Sequence, residues 1–554
     1  KSKKIKELIM RKHLSLFLCL VMIISLLSVV SYADDTGYVV TKSELEEQNE
    51  IDAALLAEAK AGYTFDDPLV VVNPYGTTPL SAVIIFDTEE ETGVTVTSKG
   101  HEEVDNITAT FPSEKNHILP VLGLYAGQET DVELTLDDGT TKNISVKTDP
   151  IDEDITTAEI VELDENFYDF SELTFLSYYY GTLGYDSKGD VRFFVKFPSL
   201  PMTKLSNGHY IAETMESSQK GSGSYIGVVE FDLVGRIYGK YILPGGAHHE
   251  IREMENGNLL VASSHDDLGV VNCRVVEIER STGSIIWDLD LCDIMDTEDG
   301  VGYLQGPMNA AGFAVWFHDN SFDYDAETNS LIISGRIVDA VVCIDKDTKE
   351  LKWILGTNEG WNTTDKSLFF TPVGDDFEWQ YAQHNVTVLP DDDNNLDTID
   401  LLMFDNGCAR IKENPDTGNT GKNVYSRAVV FHLNTKDMTV SQEWQYGKER
   451  GDSWYSAYIS GAFRDDEETN VYWICSGGIQ LDPATGNYDL SVTSFNGDLP
   501  VKYTALVDEI VDNELKYELK FNRNVYRSSR WILTDCTTFS EADLTVPGAL
   551  YTYE

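Results

Sequence analysis

The stretch "FAVWFHDNSFDYDAETNSLIISGR", residues 313–336, sets two apolar runs on either side of the polar turn "DAETNS". That pattern predicts an antiparallel hairpin. His318 and Asn320 stand two apart where the first strand is expected to begin, and Arg336 closes the returning strand. In an extended chain residues i and i+2 share a face, so His318 and Asn320 are expected to look the same way. Three polar groups would then crowd one end of an otherwise apolar hairpin.

The same grammar recurs outward in both directions. "LGYDSKGDVRFFV", "KLSNGHYIAET", "EMENGNLLVASS" and "VLPDDDNNLDTIDLLMFDNG" each place an Asp/Asn/Gly turn between apolar strands. A second unit, "VVEIERSTGSIIWDLDL", "VVCIDKDTKELKWILG" and "AVVFHLNTKDMTVSQEWQYG", carries Trp287, Trp353 or Trp444 on its second strand. Alternating the two units builds blades of four antiparallel strands, and the span 165–554 accommodates about six of them. The predicted fold is therefore all-β, a six-bladed β-propeller. The tryptophans are assigned to packing between blades.

Upstream the rhythm differs. Residues 66–150 alternate in short runs such as "GVTVTSKG" and "TDVELTLDDG", which predicts a small N-terminal β-sandwich domain. An acidic linker, 151–164, joins it to the propeller. A helical segment, 34–65, precedes it, rich in Ala, Leu and Glu. Residues 1–33 read as an upstream extension before Met10 followed by a signal peptide: Arg11 and Lys12, an apolar run from Leu14 to Val30, then Ser31 and Ala33 at a cleavage site. The expected location is exported, whether secreted, cell-surface or periplasmic, without stable membrane contact once the signal is cleaved. Retention of the run as an anchor is the alternative.

Removing residues 1–33 takes six Lys/Arg and one Glu from totals of 41 and 94, so the remaining chain carries a formal charge of −58. Nucleic acid and anionic membranes are thereby excluded as partners. An anionic substrate must find a local cationic site. Six of the seven cysteines lie beyond the signal, none in a CxxC spacing, so no zinc or redox motif is read; they are structural thiols or scattered disulfides.

Inner strands of a propeller begin near the central channel, and polar residues at their starts converge there. "GGAHHEI" offers His248 and His249, "WFHDNS" offers His318 and Asn320, and "YAQHNV" offers His384 and Asn385. Three blades thus present histidine at a similar point, with Arg336 beside them. A dication would be repelled by Arg336, so no metal is expected. The mixture suits an oxyanion: a guanidinium fork, an amide donor and imidazoles that can also act as nucleophiles.

The ordered set "AHHEI", "WFHDNSFDYD" with its trailing "SGR", and "QHNVTVL" resembles the bacterial arylsulfate sulfotransferase family, over about residues 40–554. The resemblance implies an exported six-bladed propeller with a small N-terminal β-domain. It implies transfer of a sulfuryl group from a phenolic sulfate ester donor to a phenolic acceptor, with no nucleotide donor and no cofactor, through a sulfurylated histidine. By motif, His384 matches the nucleophile, His318 and Asn320 the anion-binding pair, and Arg336 the sulfate-binding arginine. Either His248 or His249 would be the first-blade histidine, because the two point oppositely in an extended chain. Tyr381 is a candidate flank for an aromatic substrate. The rival readings are an aryl sulfate ester hydrolase and a non-catalytic cell-surface binding propeller. A homo-oligomer is neither required nor excluded by the sequence.

Overall fold

The computed structural model describes residues 43–553 apart from 153–154, 179–180, 199–201, 217–224, 266–269, 301–313, 391–392, 409, 411–423, 466–469, 492–501 and 536–538. The signal-like stretch and Cys536 lie outside the described residues. One long helix, Ser43–Ala59, opens the described chain, and the elements after it are strands with a few short 3-10 turns, so the fold is all-β. No described helix is long and apolar enough to cross a membrane.

The first sheet is built on the long strand Ala82–Ser98. Its first half pairs with Leu69–Val72 and its second half with Glu129–Leu136, while Ile107–Val121 runs along most of its length. Glu129–Leu136 in turn pairs with Thr141–Lys147.

Six further, mainly antiparallel sheets follow, called I to VI here in chain order. Sheet I holds Leu173–Tyr178, Gly181–Tyr185 and Val191–Val195. Sheets II and III begin at Thr203–Lys204 and Ile251–Glu253, sheet IV at Asp319–Asp325, sheet V at His384–Val388 and sheet VI at Gly461–Arg464. Two long-range strands tie the ends together. Arg527–Trp531 returns to become the first strand of sheet I, and Glu159–Leu163 adds to sheet VI by pairing with Glu514–Phe521. The stretch read as an acidic linker thus contains a strand.

Middle strands such as Ser330–Gly335 and Ala340–Asp345 are buried almost throughout, because both sheet faces are covered by neighbouring sheets. That explains their continuous apolar runs, each fully buried Val, Leu or Ile being worth roughly 1.5–3 kcal/mol. The expected tryptophans do join consecutive sheets. Trp287 Nε1 donates to the Lys346 carbonyl at 2.9 Å, and Trp444 stacks on Tyr472 with centroids 3.8 Å apart.

The helix is fastened by polar contacts as well as by Leu55. Gln48 imitates a strand neighbour: its Nε2 donates to the Ile237 carbonyl at 2.8 Å and its Oε1 accepts from Ile237 N at 2.7 Å. Asp52 accepts from Arg236 Nη2 at 3.0 Å and Nε at 3.2 Å, and both residues are buried. Replacing Asp52 by Ala leaves a buried guanidinium without its carboxylate. The expected loss is about 3 kcal/mol of stability, read as a lower urea midpoint at unchanged slope; a midpoint equal to wild type would show that the helix is not fastened this way.

Candidate active site

Five of the six sheets contribute to one buried polar cluster, assembled at strand starts. His249 (φ 61°) precedes sheet III, and His318 (φ 59°) precedes sheet IV. Both are left-handed, a conformation that costs an L-residue about 1–2 kcal/mol and collects at functional sites. Alternation along a strand therefore does not govern His318, which lies outside the strand that Asn320 belongs to. His384 differs again: it is the first residue of its strand, paired with Phe404. The three histidines converge from two kinds of position.

The His249 and His318 rings lie 4.9 Å apart, and the Tyr526 ring lies parallel to His249 at 5.6 Å. His248 faces elsewhere. Its Nε2 bonds the Ser263 carbonyl at 2.7 Å and sits 3.5 Å from Asp319, while burial lowers its pKa to about 4. Of the two adjacent histidines, the structure brings His249 to His318.

Arg336 follows the second strand of sheet IV, its N–H bonded to the His318 carbonyl at 3.2 Å. Burial, then the charge of Arg336, hold both His318 and His384 well below the ordinary imidazole range. Burial and the neighbouring His318 do the same for His249, although His249 and His318 are only partly buried as whole residues. All three imidazoles are neutral at pH 7.

The tautomer of His384 can be assigned. Asn406 Nδ2 donates to the Ser456 and Ile459 carbonyls at 2.8 and 2.9 Å, which turns its Oδ1 toward His384 Nδ1 at 2.6 Å. Nδ1 also lies 3.2 Å from the Ala382 carbonyl, so it faces two acceptors and must carry the proton. Nε2 is left with the lone pair, which accepts a long backbone bond from Ile459 N at 3.2 Å.

Asn406 was not among the sequence candidates. It follows the second strand of sheet V just as Arg336 follows that of sheet IV, and that shared place is the signal that would have found it. Asn272 (φ 58°) is a second addition, its Nδ2 3.2 Å from His318 Nδ1. Tyr526 and Arg527 are a third: both donate to the Asn320 carbonyl, at 3.2 and 3.1 Å, and Arg527 pairs with buried Glu250 at 2.7 Å.

Two candidates are largely committed to structure. One N–H of Asn320 goes to the Gln383 carbonyl at 2.7 Å, tying sheet IV to sheet V. Tyr381 is buried against Arg410, whose guanidinium lies 5.2 Å from its ring centre.

A cavity of about 680 Å³ opens elsewhere, beside the turn of the Asp323 hairpin. Asp323, Asp325, Asp393 and Asp400 line it, so it repels anions.

Known proteins resemble this chain in sequence. The arylsulfate sulfotransferase AssT of Escherichia coli O6:H1 is 29% identical, with 46% of this chain and 49% of that protein covered. AssT of Lelliottia amnigena gives the same values, so the chain spans about half the length of the curated relatives it matches. Among solved structures, a 6-phosphogluconolactonase candidate from Bacteroides fragilis covers 80% of this chain and 99% of its own at 9% identity and a TM-score of 0.28, which bears on neither fold nor function. The arylsulfotransferase Ig-like domain matches residues 69–151, and the arylsulfotransferase (ASST) family model matches residues 154–527, about two thirds of the chain. The chain belongs to the arylsulfotransferase family.

Proposed function

We propose that this protein is an arylsulfate sulfotransferase that moves a sulfuryl group from a phenolic sulfate ester to a phenol through His384, without a nucleotide donor. The observation that carries the reading is the Asn406–His384 bond, which fixes the Nδ1–H tautomer and reserves the Nε2 lone pair. We read sheets I to VI as the blades of a six-bladed propeller. Ring closure by Arg527–Trp531 supports this, since it unites the two ends of the sheet series.

In the first step Nε2 leaves its weak bond to Ile459 and attacks sulfur; the S–O bond to the phenol breaks and the phenolate departs with the electron pair. Positive charge grows on the ring as Nε2 bonds, and Asn406 Oδ1 stabilises it through the Nδ1 proton, as an acceptor does behind a catalytic histidine. Arg336 and His318 face the sulfuryl oxygens, where a loose transition state keeps its negative charge. Neutral His249, stacked on Tyr526, takes the proton of the acceptor phenol in the second step, and the acceptor oxygen displaces Nε2. Export, cleavage of the leader and an aromatic donor and acceptor belong to the same proposal.

The experiment that tests the reading is p-nitrophenyl sulfate turnover with and without phenol, in the absence of nucleotide. Release of p-nitrophenol should accelerate strongly with phenol and yield phenyl sulfate. Equal release without phenol, with free sulfate as product, would make the protein a hydrolase.

Loss of the tautomer lock is a separate prediction. Asn406→Ala should lower kcat on the order of 100-fold with little change in KM, because donor binding does not use Asn406. In wild type the depressed His384 pKa keeps the nucleophile unprotonated as pH falls. The acid limb of kcat/KM is therefore expected below pH ~6.5, the ordinary imidazole value. It should move further down in Asn406→Ala, since the hydrogen bond to Asn406 raises the pKa. An acid limb at or above the ordinary value would contradict the buried neutral imidazole.

A further inference from the structure

Behind His318 lies a pair of thiols that the reaction does not use. Cys273 is buried on the strand Val270–Glu279, and Cys292 is half-buried in the turn after the neighbouring strand Ser284–Asp290. Arg274 pairs with Asp290 across the two strands, which sets the cysteines side by side with their Sγ atoms 3.6 Å apart. Asp290 caps the turn, its Oδ1 accepting from Cys292 N at 2.8 Å and lying 3.9 Å from Cys273 Sγ.

We propose that Cys273 and Cys292 form a regulatory or structural disulfide that braces the His318 side of the site. A metal ion is the competing use, since both sulfurs and an Asp290 oxygen lie within 4.8 Å of one another. Charge decides between them. A metal needs both thiols ionised, next to Asp290 and buried Asp319, in a cluster with Leu260, Leu289 and Leu291, while Arg274 is already spent on Asp288 at 2.8 Å through two bonds. That would bury net negative charge, whereas a disulfide is neutral.

The chemistry is thiol–disulfide exchange with an external disulfide, small-molecule or protein-borne. Half-exposed Cys292 attacks as the thiolate, releasing one thiol and forming a mixed disulfide. Cys273 then attacks the Cys292 sulfur, its proton passing to the Asp290 carboxylate and on to solvent, and the second external thiol leaves with the electron pair. Two protein thiols are oxidised and one external disulfide is reduced. The sulfurs, 3.6 Å apart, have to close by roughly 1.5 Å to reach disulfide bond length. The bond would pin the strand end that carries Asn272 against His318.

The test incubates the whole chain with glutathione disulfide, then alkylates under denaturing conditions and maps the peptides. Intact mass should fall by about 2 Da, with residues 273 and 292 recovered as one linked peptide, and the oxidised protein should melt above the reduced one. In Cys292→Ser, Cys273 should stay alkylatable and the melting difference should vanish. Equal alkylation of both cysteines before and after oxidation, linkage of either to another cysteine, or protection of both by a metal ion that remains bound after desalting would each overturn the proposal.

Discussion

The arrangement rests on hydrogen bonds that cross from one sheet to the next at the strand starts. Asn320 of sheet IV donates to Gln383 at the edge of sheet V, and Asn385 of sheet V accepts from Ala462 of sheet VI at 2.9 Å. Gly461 permits that approach, because a Cβ there would lie 2.5 Å from Asn385 Oδ1. Arg527 of sheet I reaches Glu250 beside sheet III and the Asn320 carbonyl of sheet IV. These groups are buried and would each cost more than a kcal/mol or so if left unpaired. Their pairing fixes how close the sheets stand, and the histidines ride on the same residues.

A chain of such negative charge must solve a local problem to hold an anion. In the proposed reaction Arg336 would answer with permanent charge and the imidazoles with latent charge. Burial and the charge of Arg336 hold the His318 and His384 rings below the ordinary imidazole range. A sulfate ester brings opposite charge and relieves that penalty. In the proposed mechanism His384 must nevertheless remain unprotonated to attack. Asn406 separates the two requirements by placing the one proton of His384 on Nδ1, away from the reacting nitrogen.

Much of this was legible in the sequence. Turn grammar pointed to the strand series, since Asp, Asn and Gly between apolar runs have few other uses; the strand starts pointed to His318 and His384, and the end of the hairpin that His318 opens pointed to Arg336. What was hidden depended on backbone conformation. "AHHE" left two histidines because the alternation rule assumes an extended chain, while His249 is left-handed. Glu159–Leu163 read as linker because an outer strand facing solvent, "EIVEL", carries too few apolar residues to announce itself. Tyr526 precedes and Arg527 opens a strand about 350 residues after its partner, Leu173–Tyr178, and no local pattern signals so distant a return. Asn406 stands right after the second strand of its hairpin, the same place that Arg336 holds in the hairpin before it, so its signal is present in the sequence.

The central claim is that the reserved lone pair of His384 becomes covalently bonded to sulfur. Intact mass after donor is supplied without acceptor, quenched in alkali, tests this most directly. The account predicts a gain of roughly 80 Da, as a covalent two-step mechanism requires, mapped to His384, removed by phenol and missing in His384→Ala. An unchanged mass while p-nitrophenol transfer proceeds, or an adduct on His249 or His318, would contradict it.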